Sequence, residues 1–283
     1  MPTAAPDLIT HLSDRHFRSI AELIEREVGI RLPSSKRMML EGRLQKRVRA
    51  LRYSDINAYV DHLFDAEHFA IELVHLIDCV TTNKTDFFRE PAHFEFMRAY
   101  AVPQILHRSR GVRSIKVWSA AASTGMEAYT IAMVLDDMAR TGPNFQFRIL
   151  GTDISSGVLR VAEDGIYTHA MVEPVPGEMA RRYLLSPKVP ARGEVRVVPE
   201  LRRSVNFMRM NLMDPVYPVD RDVDIIFCRN VLIYFDKATQ RKVVDRLCEH
   251  LRPGGYLIVG HSESMVPNES GRLKQVLPTI FQV

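Results

Sequence analysis

The strongest constraint on the fold is a change of rhythm near residue 114. Before it, apolar residues recur at helical spacing; after it, short β-branched runs alternate with helical segments. Such alternation calls for parallel strands joined by crossovers, so residues 114–283 are expected to form an α/β domain around a mostly parallel, Rossmann-like sheet. Residues 115–119, 145–151, 205–210, 223–228 and 256–260 read as its strands, with helices over 127–139, 156–164 and 240–251. A C-terminal antiparallel hairpin within 273–283 is expected at the sheet edge. Residues 168–204 carry five prolines and one strand, 195–198, and read as a small β insertion that the sheet does not require.

Upstream, residues 13–80 read as a small all-helical domain. Ser13 or Asp14 caps a first helix that Gly29 stops. A second runs over 36–51, a third opens at Ser54-Asp55, and a fourth has Ile71, Val74, Leu76, Ile77 and Val80 as its apolar residues. The expected plan is therefore 1–80 helical, 81–113 a linker and helix beside the ligand site, and 114–283 the α/β domain.

Composition excludes several classes. No window approaches 18 consecutive apolar residues, so no membrane insertion is expected, and residues 1–14 lack the apolar run of a signal peptide. Cys79, Cys228 and Cys248 form no C-x-x-C pair, which suggests neither a disulfide framework nor a metal site, and fits a cytoplasmic chain. The net charge of +4 is too weak by itself to imply nucleic acid. Yet between Arg31 and Arg52 eight basic residues face a single acid, Glu41. On a helix Lys36, Arg43 and Arg47 fall within about 40° of one another, and with Lys46 they form a candidate docking stripe for an acidic partner.

In open α/β sheets ligands bind beyond the carboxyl ends of the strands, where strand order reverses. The first strand runs into Ala120-Ala121-Ala122-Ser123-Thr124-Gly125, a small-residue loop that lacks the three glycines of a dinucleotide fingerprint. Asp153, at the end of the second, suits two ribose hydroxyls or the cap of the next helix. Asn211 and Leu212 follow the third strand, an amide and an apolar wall fit for a purine, or else a turn. Asn230 and Val231 follow the fourth. Together these strand ends suit an adenosine. Asp214-Pro215-Val216-Tyr217 looks like the catalytic box of enzymes that methylate nucleobase amines, but it follows the wrong strand and reads as a proline turn.

Several segments together resemble the chemoreceptor glutamate methyltransferase family, CheR type. They are Thr82-Asn83-Lys84-Thr85-Asp86-Phe87-Phe88-Arg89-Glu90, the loop 117–125, Thr152-Asp153-Ile154, and above all Ile226-Phe227-Cys228-Arg229-Asn230-Val231-Leu232-Ile233-Tyr234-Phe235-Asp236 with Gly260-His261-Ser262-Glu263 behind it. The resemblance implies S-adenosylmethionine as cofactor and S-adenosylhomocysteine as product. It assigns cofactor binding to Asn83, Thr85, Arg89, Glu127, Asp153, Asn211, Leu212, Asn230 and Val231. The chain departs at Met126, where the family usually has glutamate, and at Ala128, where it usually has proline; Glu127 is kept.

The implied reaction esterifies receptor glutamates. A glutamate is ionised at neutral pH and is itself the nucleophile, so no general base is needed and catalysis rests on alignment. Arg89 and Tyr234 are the candidates for orienting it. The implied partner is the helical bundle of methyl-accepting chemotaxis receptors, bound by a monomer. If the strand at 195–198 lies at an edge, a receptor's C-terminal tail could add to it, favoured by Arg192, Arg196, Arg202 and Arg203. The competing readings are a nucleic-acid methyltransferase, against which the missing base box argues, and a non-catalytic cofactor-binding module.

Overall fold

A computed structural model describes residues 11–108, 114–187, 193–263 and 271–283. Contacts divide the chain into two compact units, up to Thr82 and from Asn83 onward.

The first unit holds α1 (Asp14–Val28), α2 (Arg37–Leu51), α3 (Ile56–Leu63) and α4 (Phe69–Val80). Ser13 caps α1 by accepting the His16 N–H, and Gly29 ends it at φ 73° with its N–H on the Glu25 carbonyl. Asp55 caps α3, accepting the N–H groups of Asn57 and Ala58. Phe17, Ile20, Leu23, Ile24, Leu40, Leu44, Tyr59 and Leu76 are buried between the helices.

Two expectations need correcting. Ile71 faces outward, 61% exposed, while its neighbour Glu72 is buried. Burial alone would raise the Glu72 carboxyl, but Arg47 and Tyr59 hold it below its ordinary value. Arg47 grips both its oxygens at 2.5 and 3.0 Å, and the Tyr59 hydroxyl donates to it at 3.0 Å. Arg43 also turns inward, donating to the carbonyls of Cys79 and Thr81 at the end of α4, each at 2.9 Å. Arg43 and Arg47 of the basic stripe thus have internal work. Helical spacing places these cations side by side but does not reveal what lies opposite them. Lys46 is exposed and Lys36 half-buried.

The second unit begins with α5 (Ala92–Phe96) and α6 (Val102–Arg108), joined by a π-helical turn, Met97–Ala101. Then come β1 (Ser114–Ala120), α7 (Met126–Thr141), β2 (Gln146–Asp153) and α8 (Ser156–Asp164). An excursion follows: β3 (Ile166–Thr168), α9 (His169–Val172), α10 (Gly177–Tyr183), β4 (Leu184–Leu185), β5 (Glu194–Val197) and α11 (Pro199–Ser204). The chain returns through β6 (Val205–Arg209), β7 (Val223–Cys228), α12 (Lys237–His250) and β8 (Leu251–Val259), and closes with β9 (Lys274–Leu277) and β10 (Ile280–Gln282).

The main sheet has seven strands in the order β6-β2-β1-β7-β8-β10-β9. The first five are mutually parallel, and β10 and β9 add the antiparallel hairpin. Every residue of β7 is buried, as a central strand covered on both faces requires. One core packs α7 and the excursion against the sheet, and the other packs α12 against its opposite face. Because β2 and β6 spread to one side of β1 while β7 and β8 spread to the other, the order reverses between β1 and β7.

The excursion forms its own antiparallel sheet, β3-β5-β4. An edge position for residues 195–198 is overturned: β5 is the middle strand, and the free edges belong to β3 and β4. Arg192 lies outside the described residues.

Two predictions follow from the packing. Arg47→Ala leaves the Glu72 charge buried and unpaired, so we expect a loss of about 3–5 kcal/mol. Lys46→Ala should stay within about 0.5 kcal/mol. Urea unfolding of the two variants measures the contrast, and equal stabilities would refute an internal role for Arg47. The second concerns Asp224, fully buried in β7. It accepts the Lys116 N–H at 2.8 Å and lies 3.0 Å from Arg252 Nη1, yet burial pushes it up to about 6. An unfolded aspartate titrates near about 3.9, so its stabilising contribution is complete below that value and is lost as pH rises through about 6, at a cost of about 3 kcal/mol. Asp224→Asn keeps an acceptor and removes the titration. Its stability relative to the parent should therefore climb by up to about 3 kcal/mol from about pH 4 to pH 7; a constant difference would contradict the shift.

Candidate active site

The loops leaving β1, β2, β7 and β8 are tied together by hydrogen bonds that strand ladders no longer supply. Asp153, at the end of β2, accepts the N–H groups of Ser123 and Ser155 at 2.9 and 3.0 Å. The Ser123 hydroxyl donates to the Asn83 carbonyl at 2.8 Å, which fastens the segment after Thr82 to the loop after β1. The Phe88 N–H donates to Thr130 on α7, fastening the same segment a second time.

At the end of β7, Asn230 has φ 60° and donates its N–H to Glu263 Oε2 at 2.7 Å. Glu263 also accepts the N–H groups of Gly260 at 2.8 Å and Ile233 at 3.3 Å. One buried carboxylate thereby holds the turn Leu232–Tyr234 to the end of β8. Only glycine fits at 260, where a Cβ would lie 2.5 Å from Asn230 Nδ2.

Between these loops sits a charge cluster around the buried Arg229. Arg229 Nη1 lies 3.0 Å from Glu127 Oε2, and Nη2 lies 3.2 Å from Glu90 Oε2. Nη2 also donates to the Arg89 carbonyl, and the guanidinium stands over Phe94. Ser119 donates to the other Glu127 oxygen at 2.6 Å. Burial raises the Glu127 carboxyl, and Arg229 is the first influence opposing it. Burial would also raise Glu90, but Arg229 holds it below its usual value. Donor atoms of Glu90, His93 and His261 lie within 4.8 Å of one another. Arg229 and the His261 N–H already occupy the Glu90 oxygen that a shared cation would need.

Five non-glycine residues in these loops have left-handed backbone: Phe88, Glu90, Ala121, Ser123 and Asn230, with φ between 51° and 64°. Each costs about 1–3 kcal/mol and persists only because its surroundings fix it.

The structure distributes the sequence-predicted residues over several elements. Asn83, Asp153, Glu127 and Asn230 belong to the interlocked loops, the last with its amide 3.4 Å from Glu90. Thr85 and Arg89 lie half-buried on the segment with Asn83, and Arg89 Nη1 donates to the Lys84 carbonyl. Val231 and Tyr234 ride on the turn that Glu263 holds. Asn211 and Leu212 follow β6; the Asn211 side-chain amide oxygen Oδ1 accepts the Met213 N–H, and the Leu212 carbonyl accepts the Tyr217 hydroxyl. The hydrogen-bonded turn lies at 212–213, closed by the Asp214 N–H on the Asn211 carbonyl, and 214–216 follow it as bends. Lys36, Arg43, Lys46 and Arg47 belong to the helical unit. Met126 and Ala128, the two departures from the family pattern, are buried in α7 and leave Glu127 in its cluster. Three residues carry structural roles that the motifs contained without declaring: Arg229, Glu90 and Glu263. Their partners lie 102, 140 and 33 residues away.

The donor set suits S-adenosylmethionine: carboxylates for hydroxyl and ammonium donors, amides for a purine, and small residues where backbone must approach. A sheet of this order, bearing these groups along the carboxyl ends of its parallel strands, defines an S-adenosylmethionine-dependent methyltransferase domain. The chain belongs to the CheR methyltransferase family. The description "CheR methyltransferase, SAM binding domain" matches residues 83–280, and "CheR methyltransferase, all-alpha domain" matches 15–81. The chain is 40% identical over 253 residues to the chemotaxis protein methyltransferase of Escherichia coli (strain K12), covering 89% of this chain and 85% of that one. It is 36% identical over 287 residues to chemotaxis protein methyltransferase 2 of Pseudomonas aeruginosa, covering 99% of each. A third relative, the chemotaxis protein methyltransferase of Borreliella burgdorferi, is 33% identical over 98% of this chain and 96% of its own length.

Asp153→Ala should weaken S-adenosylmethionine binding by about 1.5–3 kcal/mol, the scale for a hydrogen bond to a charged group. Titration calorimetry on the folded variant measures this; unchanged affinity would remove Asp153 from the cofactor's contacts.

Proposed function

We propose that this chain esterifies glutamate side chains on chemoreceptors, and that Arg89 and Tyr234 orient the accepting carboxylate. What carries this reading is the match of both family segments, 15–81 and 83–280, together with the hydrogen bonds that tie Asn83 to the Ser123–Asp153 loops and Glu127 to Arg229 beside Asn230. S-adenosylmethionine supplies a methyl group already activated on a sulfonium. Asn83, Thr85, Arg89, Glu127, Asp153, Asn211, Leu212, Asn230 and Val231 would hold it. No side chain needs to take a proton, because a glutamate is ionised at neutral pH. The remaining task is alignment, which fixed loops perform well. Too firm a grip by Arg89 would slow transfer, since the product ester has lost its charge.

Docking on a receptor's helical bundle would use α2 and the Lys36 just before it, with the exposed Lys46 facing the acidic partner and Arg43 and Arg47 fixing the helix. A tail peptide would add to β3 or β4, the open edges of the small sheet, where Ile166 and Leu185 are exposed and Arg196 and Arg203 supply positive charge. Among the described residues no helix is long and apolar enough to cross a membrane. We place the enzyme in the cytoplasm as a monomer.

The test is transfer of a tritiated methyl group from S-adenosylmethionine onto receptor-containing membranes. Label should be released as methanol by mild base, the signature of an ester. Base-stable label, or label in RNA or DNA, would refute the assignment.

A further inference from the structure

Among the described residues of the catalytic unit, Arg229 is the one arginine or lysine in the buried class, and the reaction has no direct use for it. Its side chain is 2% exposed, and it reaches two carboxylates from different parts of the chain, Glu127 at the start of α7 and Glu90 on the segment before α5. We propose that Arg229 is a positioning residue for cofactor binding: its guanidinium fork bridges Glu127 and Glu90, so that Glu127 is presented charged and in one orientation to the donors of S-adenosylmethionine. The inference rests on the reading that Glu127 touches the cofactor.

The geometry supports it in three ways. Both Glu127 oxygens are fixed, one by Arg229 and one by the Ser119 hydroxyl, so the carboxylate cannot swing. The fork is planar and delocalised, and a lysine cannot span both acids in the same manner. Its remaining contacts, the Arg89 carbonyl and the Phe94 ring, hold the fork itself in place. Without it, two half-buried carboxylates lose the cation between them and keep only neutral donors, and a proton is the cheapest remedy.

The charged and titratable groups around Glu127 are Arg229, Glu90 and the Cys228 thiol, with Ser119 as its neutral donor. His93 and His261 face Glu90, and burial, then Arg229, push His93 down to about 4. Glu90, Cys228, His93 and His261 are common to all variants, as is the cofactor's own amino group, so the informative quantity is the difference from the parent.

The experiment is calorimetric titration of the full chain with S-adenosylmethionine from about pH 6 to about pH 9, on Arg229→Gln, Arg229→Lys and Glu127→Gln, with circular dichroism as the folding check. Arg229→Gln should bind at least about tenfold more weakly than the parent near pH 6, a gap that closes as pH rises and Glu127 ionises. Arg229→Lys, which keeps the charge but not the fork, should bind more weakly by a factor that does not change with pH. If Arg229→Gln fails to fold, Arg229→Lys still decides: affinity equal to the parent would overturn the proposal. A folded Arg229→Gln with parental affinity, or with a loss that is flat in pH, would overturn it as well. Glu127→Gln separates the two failures. If it leaves affinity unchanged, the reading that Glu127 touches the cofactor falls, and the proposal with it; if it weakens binding while Arg229→Gln does not, only the proposal falls.

Discussion

At the carboxyl edge of a parallel sheet the backbone runs out of ladder partners, and the rest of this site depends on how that shortage is met. Two buried carboxylates meet it. Asp153 takes two N–H groups and so joins the loops after β1 and β2; Glu263 takes three and joins those after β7 and β8. A carboxylate is suited to the task because it offers several acceptor directions and no donor. With the loops fixed this way, their side chains need little reorganisation to meet a ligand, which is the advantage of preorganisation. The cost appears in the backbone, where non-glycine residues sit in left-handed geometry.

Local signals were legible in the sequence. The Ser13 cap, the Gly29 stop and the Asp55 cap each depend on residues within a turn of one another, and the structure has all three. The parallel sheet was legible because alternation of strand and helix admits few topologies. Asp153, Asn211 and Asn230 stood out because ligand sites in such sheets fall at strand ends. The ion bridge through Arg229 was not legible. Its partners come from residues 90 and 127, and no periodicity joins positions so far apart. The motifs held all the residues concerned, but a motif records that residues occur together and not which of them touch.

The basic helix shows the opposite error. Spacing put Lys36, Arg43 and Arg47 on one face, and the charge count made that face look like a docking stripe for an acidic partner. Glu72 and the end of α4 supply partners that lie 25 and 36 to 38 residues further along. A periodic pattern defines a stripe but not the direction it faces. Here Leu40, Leu44 and Val48 set α2 against the core, and Glu72 draws Arg47 inward beside them. The same burial of Glu72 explains why Ile71 sits outside, since turning the helix to cover one would expose the other.

The division of labour along α2 has a consequence for how such a chain can change over time. Arg43 and Arg47 are bound by the domain's own carbonyls and by Glu72, so their replacement is penalised through folding in any host and against any partner. Lys46, one position from Arg47, has no such tie to the interior and is exposed. The helix thus separates fixed cations from adjustable ones. Its outward electrostatic character can drift, or be redesigned, to suit different partners while the scaffold that displays it stays unaltered.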